Sequence, residues 1–220
     1  MKLTLHLKLL SDTTFGRGDG VSGLVDQEIE HDTKTGLPFV RGRTIKGLLV
    51  EECANILYAV PSVDRIENAA RQLFGMGGSG LQDAGLLHVG TAEMGQNVID
   101  AVRQDIDSNR LQPSDVLEMF TAIRRQTAIK EETGTPDDGS LRSSRVLLRE
   151  TELYAPLEIA LSDNDPNTED VLAVLCACTA ALRRGGIGRN RGRGRLKAWL
   201  EGVNMGMYLE RFESMARSNH

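Results

Sequence analysis

Hydrophobic and polar residues alternate from Lys2 to Leu10. Leu3, Leu5, Leu7 and Leu9 fall on one side, and Lys2, Thr4, His6 and Lys8 on the other. A period of two predicts a strand with one buried face. The alternation breaks at FGRGDGVSG (Phe15 to Gly23), which reads as loop, and DTKTG (Asp32 to Gly36) carries turn chemistry. Beyond Thr44, read as an N-cap, the apolar residues Ile45, Leu48, Leu49, Cys53, Ile56 and Leu57 recur at helical spacing. Val63 to Phe74 predicts a second, shorter helix. MGGSGLQDAG reads as loop, and GLLHVGTAEM as a strand with Leu87, Val89 and Thr91 on one face.

Two further helices are expected, over Asn97 to Asp107 and, behind Pro113 and Ser114, over Asp115 to Arg125. The polar stretch KEETGTPDDGS lies between the β-prone stretches RRQTAI and SSRVLLRETELYAPLEIAL, which predicts a long hairpin with a mobile tip. Thr168 to Arg184 predicts a strong helix, capped by Thr168, with Glu169 and Asp170 in its first turn, Arg183 and Arg184 in its last, and Gly185 ending it. GIGRNRGRGR then reads as loop, LKAWLEGV as strand, and Met205 to His220 as a short amphipathic helix. With residues 95–150 set aside as an insertion, the order approximates βαββαβ, the ferredoxin-like arrangement. The expected fold is α+β: one domain over residues 1–220, with a ferredoxin-like (RRM-like) core, an inserted helical and hairpin subdomain over about 95–150, and a Gly-rich loop.

Apolar residues make up 40% of the chain and charged residues 26%, the balance of a folded globular protein rather than a disordered one. No apolar run reaches about 18 residues, so no membrane span is expected. Cys53, Cys176 and Cys178 suit neither a zinc site nor a disulfide framework, and read as reduced, buried thiols of a cytoplasmic protein. The net charge of −5 argues against uniform attraction to nucleic acid, but its distribution reverses the inference. Arg183, Arg184, Arg189, Arg191, Arg193, Arg195 and Lys197 crowd one stretch with no acid among them, and a phosphate senses charge over about a Debye length.

Glycines 185, 186, 188, 192 and 194 interleave with those arginines. Glycine permits close backbone approach and positive φ, and arginine can grip phosphate oxygens with two parallel donors. A dinucleotide-binding fingerprint does not fit, because its glycine loop follows a strand and opens a helix, the reverse of the order here. A second candidate anion site is RGRTIKG. There Arg41, Arg43, Thr44 and Lys46 cluster at a helix N-terminus, whose free N–H groups and dipole favour an anion. No Walker A string is present.

A glycine-rich, basic loop between the last helix and last strand of a ferredoxin-like domain resembles the signature of the RAMP superfamily. The stretch SGLVDQEIEHDTKTGLPFVRGRTIKGLLVEE is similar to the N-terminal block of crRNA-binding backbone subunits of type III CRISPR effector complexes, and QLFG and TGTPDDGSL have counterparts there. The resemblance implies RNA contacts by Arg41, Arg43, Thr44 and Lys46, and by Gly186, Gly188, Arg189, Arg191, Arg193 and Arg195. It also implies a thumb-like hairpin with Thr133 and Thr135 at its tip. The partners it implies are crRNA, complementary target RNA, other CRISPR effector subunits, and copies of the chain or related RAMP subunits in a filament. Aromatic residues are only 4% of the chain, so phosphate and backbone contacts should outweigh base stacking.

The resemblance further puts Asp26 where these subunits carry the aspartate of target-RNA cleavage, in a loop that also holds Asp19, Glu28, Glu30 and Asp32. The implied chemistry is attack of a ribose 2′-hydroxyl on the adjacent phosphate, with Asp26 binding a divalent ion, Mg²⁺ or Mn²⁺, or positioning the hydroxyl. Two alternatives stand beside it: a non-catalytic scaffold that binds crRNA, and a crRNA-processing nuclease using His31 as general acid or base. From the sequence, the Asp26 loop is expected to be mobile and weakly packed, and Lys46 to point outward. His6 and His88 fall at strand positions.

Overall fold

The computed structural model describes residues 1–21, 25–60, 63–75, 84–137, 139–160 and 166–217. The loop read at MGGSGLQDAG lies almost wholly outside them, as do Ser22 and Gly23 of the first Gly-rich stretch and Asp138 of the hairpin tip. In chain order the elements are β1 (Lys2–Leu9), α1 (Gly42–Ala59), α2 (Asp64–Phe74), β2 (Leu87–Val89), α3 (Gln96–Asp107), α4 (Pro113–Phe120), β3 (Thr121–Gln126), β4 (Arg142–Leu147), β5 (Glu152–Ile159), α5 (Thr168–Ala181), β6 (Leu196–Glu201) and α6 (Met205–Arg217).

The leucine alternation builds the centre of the molecule. β1 pairs antiparallel with β5 on one side and β6 on the other, and β2 closes the far edge in the order β2-β5-β1-β6. That is the strand order of a ferredoxin-like sheet, with β3 and β4 forming a separate two-stranded hairpin between β2 and β5. Leu3, Leu5, Leu7 and Leu9 are buried, and their register partners Leu153, Ala155, Leu157, Leu196 and Leu200 share that face. α5 is apolar nearly all round and is buried over most of its length, as its sequence demands. Its buried polar residue in the first turn, Asp170, is gripped by Arg65 of α2 and by Arg211 of α6.

The opposite face of the sheet carries polar and aromatic residues. His6 stacks on Trp199 with ring centroids 4.9 Å apart, meets Tyr154 edge-on, and its Nε2 lies 2.8 Å from Glu201 Oε2. His6 is therefore a satisfied neighbour in a cross-strand cluster. The three cysteines are free and buried, as their spacing implied. Among the described residues, no helix is long and apolar enough to cross a membrane.

Several boundaries differ from the expected ones; β2, for instance, ends at Val89 and does not reach Thr91. α1 begins at Gly42 with Arg41 as N-cap, because the backbone there runs against β2: a Cβ on Gly42 would lie 2.0 Å from the Val89 carbonyl oxygen. Thr44 thus sits inside the first turn, and its N–H bonds the Arg41 carbonyl at 2.9 Å. The helix expected to reach Arg125 stops at Phe120. From Thr121 the chain pairs with β4, so sheet pairing overrides local propensity. α5 is capped by Asn167 rather than Thr168 and ends at Ala181, leaving Arg183 and Arg184 in the loop beyond it.

Candidate functional site

The Gly-rich loop is stitched down rather than free. The connector after β1 lies between it and the hairpin. Thr13 exchanges backbone hydrogen bonds with Leu147 of β4, and the Ile187 N–H donates to Thr14 at 2.8 Å. Both threonines are buried, and the Thr14 hydroxyl donates to the Arg145 carbonyl at 3.0 Å. Gly186 is obligatory in this seam: it has φ +79° and a Cβ would lie 2.5 Å from the Thr14 carbonyl oxygen. Gly194, at φ +73°, closes the loop against the Gly185 carbonyl in the same way. A short 3-10 turn, Arg189–Arg191, forms the crest.

The acidic loop is fixed from the other direction. Its Val25 and Ile29 are buried, and its backbone at Asp26 and Gln27 bonds the Ser143 carbonyl of β4. Glu28 is buried and pairs with the equally buried Arg145 at 2.8 Å, while Arg145 also donates to Thr121 Oγ1 at 3.2 Å. The Asp26 side chain is exposed, but its Oδ2 accepts the Ser143 N–H at 2.6 Å and the Ser143 hydroxyl at 3.0 Å. Those donors, chiefly the backbone N–H, hold the Asp26 carboxyl below the usual carboxylate range, and the nearby Arg142 charge adds to the effect. The expectation of a weakly packed loop is thus corrected: two buried apolar side chains and a buried ion pair anchor it within three residues of Asp26.

These two constructions meet. One open cleft of about 430 Å³ is lined by Asp26, by Arg142 and Ser144 of β4, and by Arg191, Arg193 and the backbone of Gly186 and Gly188. Asp26 is the cleft's sole carboxylate among the described residues. No cluster of three or more metal-ligating side chains is found among them. The donor set nonetheless suits Mg²⁺ or Mn²⁺. Such ions are often held by one or two carboxylates, with phosphate oxygens and water completing the shell. The Asp26 side chain is exposed in the cleft and offers its carboxylate for that purpose.

Other residues singled out by the sequence lie elsewhere or are engaged. Arg189 lines the cleft, but its guanidinium makes two parallel bonds to Glu51 of α1, at 2.8 and 2.6 Å, and is held as a strut. Arg195 is exposed in side chain while its backbone binds Leu10 and Ser11. Arg41 pairs with Glu30, and neither it nor Arg43, Thr44 or Lys46 lines the cleft. Lys46 does not point freely outward: its ammonium donates to the Leu87 carbonyl at 2.9 Å and ties α1 to the edge strand β2. Thr133 and Thr135 are exposed at the hairpin tip with their hydroxyls 2.7 Å apart, beside Gly134 at φ +65°. His31 is half-buried and outside the cleft, and its Nδ1 is buried without a partner among the described residues. Asp32 caps its own turn through Lys34 and Thr35, and lines a separate cavity with Phe39 and Arg103. Sequence reasoning missed Arg142, Ser143, Arg145 and Glu51, because nothing in their local patterns names their partners.

Known proteins share this fold. The family model described as RAMP superfamily matches residues 6–197. No curated protein matches the chain. Among solved structures, a chain in the cryo-EM structure of apo type III-B Cmr-beta aligns with a TM-score of 0.66 at 11% identity, covering 92% of this chain and 98% of that one. A chain of type III-B Cmr-beta bound to cognate target RNA aligns with a TM-score of 0.64 at 11% identity, covering 95% and 99%. A chain of a type IV-B CRISPR complex gives 0.57 at 12% identity, covering 92% and 91%. At such identities the likeness is one of fold.

Proposed function

This chain belongs to the RAMP superfamily, and on that premise we propose that it is a crRNA-binding backbone subunit of a type III CRISPR effector complex that cleaves complementary target RNA at Asp26. The observation that carries the reading is the convergence of Asp26 with Arg191 and Arg193 on one open cleft. Apart from Asp26 and the apolar Ile187 its walls offer cations, glycine backbone and neutral polar groups, a lining suited to a sugar-phosphate backbone. Its partners are crRNA, target RNA, other effector subunits, and neighbouring copies in a filament. The hairpin carrying Thr133 and Thr135 serves as a thumb against the guide–target duplex, and Arg41, Arg43 and Thr44 add phosphate contacts at the start of α1.

Arg191 and Arg193 hold the backbone in place, and the Gly-rich loop lets it approach closely. Asp26, kept ionised and oriented by Ser143, faces the ribose and phosphate of the strand to be cut. It would hold a divalent ion through its exposed carboxylate. Bound there, the ion supplies Lewis-acid polarisation of the phosphate.

The test is cleavage of a labelled complementary RNA by the assembled complex, comparing Asp26→Ala with Asp19→Ala and Asp32→Ala. Only Asp26→Ala should abolish cutting, with guide and target binding retained. A wild-type complex that binds but never cuts would establish the scaffold reading, which the single carboxylate of the cleft favours as second choice. Full-rate cutting by Asp26→Ala would remove the assignment.

A further inference from the structure

One cation in the cleft stands outside the Gly-rich loop. Arg142 opens β4 and pairs across the hairpin with Gln126, which also lines the cleft. It is exposed, and among the described residues no carboxylate forms an ion pair with it. The next residue, Ser143, holds the Asp26 carboxylate through its backbone N–H. Two consecutive residues of one strand therefore set both groups in a common frame, a more rigid support than a loop could give. Asp26 alone would repel an RNA phosphate. A cation beside it is what allows a phosphate to settle within reach of that carboxylate.

We propose that Arg142 binds the scissile phosphate of the RNA strand lying against Asp26 and stabilises the charge that develops on its non-bridging oxygens. The proposal rests on the cleavage reading above and adds to it a second catalytic residue. In the step concerned, the ribose 2′-oxygen forms a bond to phosphorus as the bond to the 5′-oxygen of the next nucleotide breaks. The 2′-hydroxyl proton passes to solvent and the departing 5′-oxygen takes one from solvent, leaving a 2′,3′-cyclic phosphate and a 5′-hydroxyl. Negative charge gathers on the two non-bridging oxygens during that exchange, and a guanidinium fork matches their spacing.

The test uses the assembled complex and target RNAs carrying a single neutral methylphosphonate at successive linkages, each with a 2′-deoxy sugar on the 5′ side so that none can be cut. At one linkage for each copy of the chain the neutral group should weaken binding to the wild-type complex by about tenfold, the scale of a missing charge-assisted hydrogen bond. The Arg142→Ala complex, which loses the contact in every copy, should bind all-phosphate target with at least that deficit and lose nothing more at that linkage. Deficits that multiply at every linkage would overturn the contact. With cleavable RNA at saturation, Arg142→Ala should cut about 100-fold slower, and Arg142→Lys should recover part of the rate. Full-rate cutting by Arg142→Ala would also overturn the proposal. A wild-type complex that never cuts would defeat the cleavage reading alone, since the binding comparison still decides the contact.

Discussion

The Asp26 carboxylate leans on Ser143: its Oδ2 accepts the Ser143 backbone N–H at 2.6 Å and the Ser143 hydroxyl at 3.0 Å. Asp26 brings its own N–H to the Ser143 carbonyl at 3.0 Å, so the two residues grip each other in both directions. The grip keeps Asp26 ionised below the ordinary value of 3.8 and makes it a poor general base. A group whose folded pKa is depressed stays charged above its unfolded value and loses its charge only as the pH falls further. Cleavage by the assembled complex should therefore show no acid limb from Asp26 between about pH 5 and 7. A rate profile measured on wild type and Ser143→Ala checks this, and a limb centred near pH 6 in wild type would contradict it.

The arginines of the Gly-rich loop should separate into two kinds. Arg191 and Arg193 have no carboxylate partner among the described residues. Their joint replacement by Ala should flatten the salt dependence of RNA binding by about 0.7 for each phosphate no longer neutralised. Arg189 is tied to Glu51. Arg189→Ala should lower stability by at most about 1 kcal/mol, since both partners are partly exposed. A double-mutant cycle with Glu51→Ala, read by denaturant unfolding, should show the two residues coupled, and the salt slope should move less than for Arg191→Ala.

The Glu28–Arg145 pair is the most deeply buried ion pair described, with side chains 2% and 9% exposed. Removing one partner strands the other's charge, which costs about 3–5 kcal/mol. Glu28→Ala should thus lower the urea midpoint markedly. The double variant Glu28→Leu, Arg145→Met should recover much of the stability by restoring an apolar fill. Additive effects in the cycle would show the two residues acting independently.

Asp170 sets an acid-sensitive joint among three helices. Burial pushes its carboxyl up, but the hydrogen bonds from Arg65 and Arg211 outweigh that and hold it below the ordinary 3.8. The contribution is therefore complete above that value and is lost as the pH falls through the depressed folded value. The stability gap between wild type and Asp170→Asn should be flat near neutrality and shrink below about pH 3.8. Thermal unfolding across an acid series measures it.

Much of the fold was legible because its signals are local. The alternating leucines of β1 each report their own face, and the apolar run of α5 reports burial on all sides. The glycine–arginine spacing marked the loop for the same reason: backbone freedom and charge are properties of single residues. What stayed hidden were pairings across distance. Ser143 lies 117 residues from Asp26, and Arg145 equally far from Glu28. Lys46 looked like a free cation because its acceptor is a backbone carbonyl on the strand β2, 41 residues further along the chain. Thr121 to Arg125 read as helix because the pull of β4 is absent from their own pattern. Local sequence tells a residue's preference, and the partner decides whether the preference is met.

The placement of β1 carries a consequence for biosynthesis. Thr4 lies between Pro156 and Glu201, so the middle strand of the sheet finds both neighbours only after most of the chain exists. Contacts of such sequence separation close slowly. As the ribosome extends the chain, β1 must wait for β6 with a bare row of N–H and C=O groups, an open invitation to a neighbouring nascent chain. A message truncated before residue 196 would release a polypeptide whose central strand is left as an edge, and that product should aggregate rather than accumulate as a smaller soluble domain.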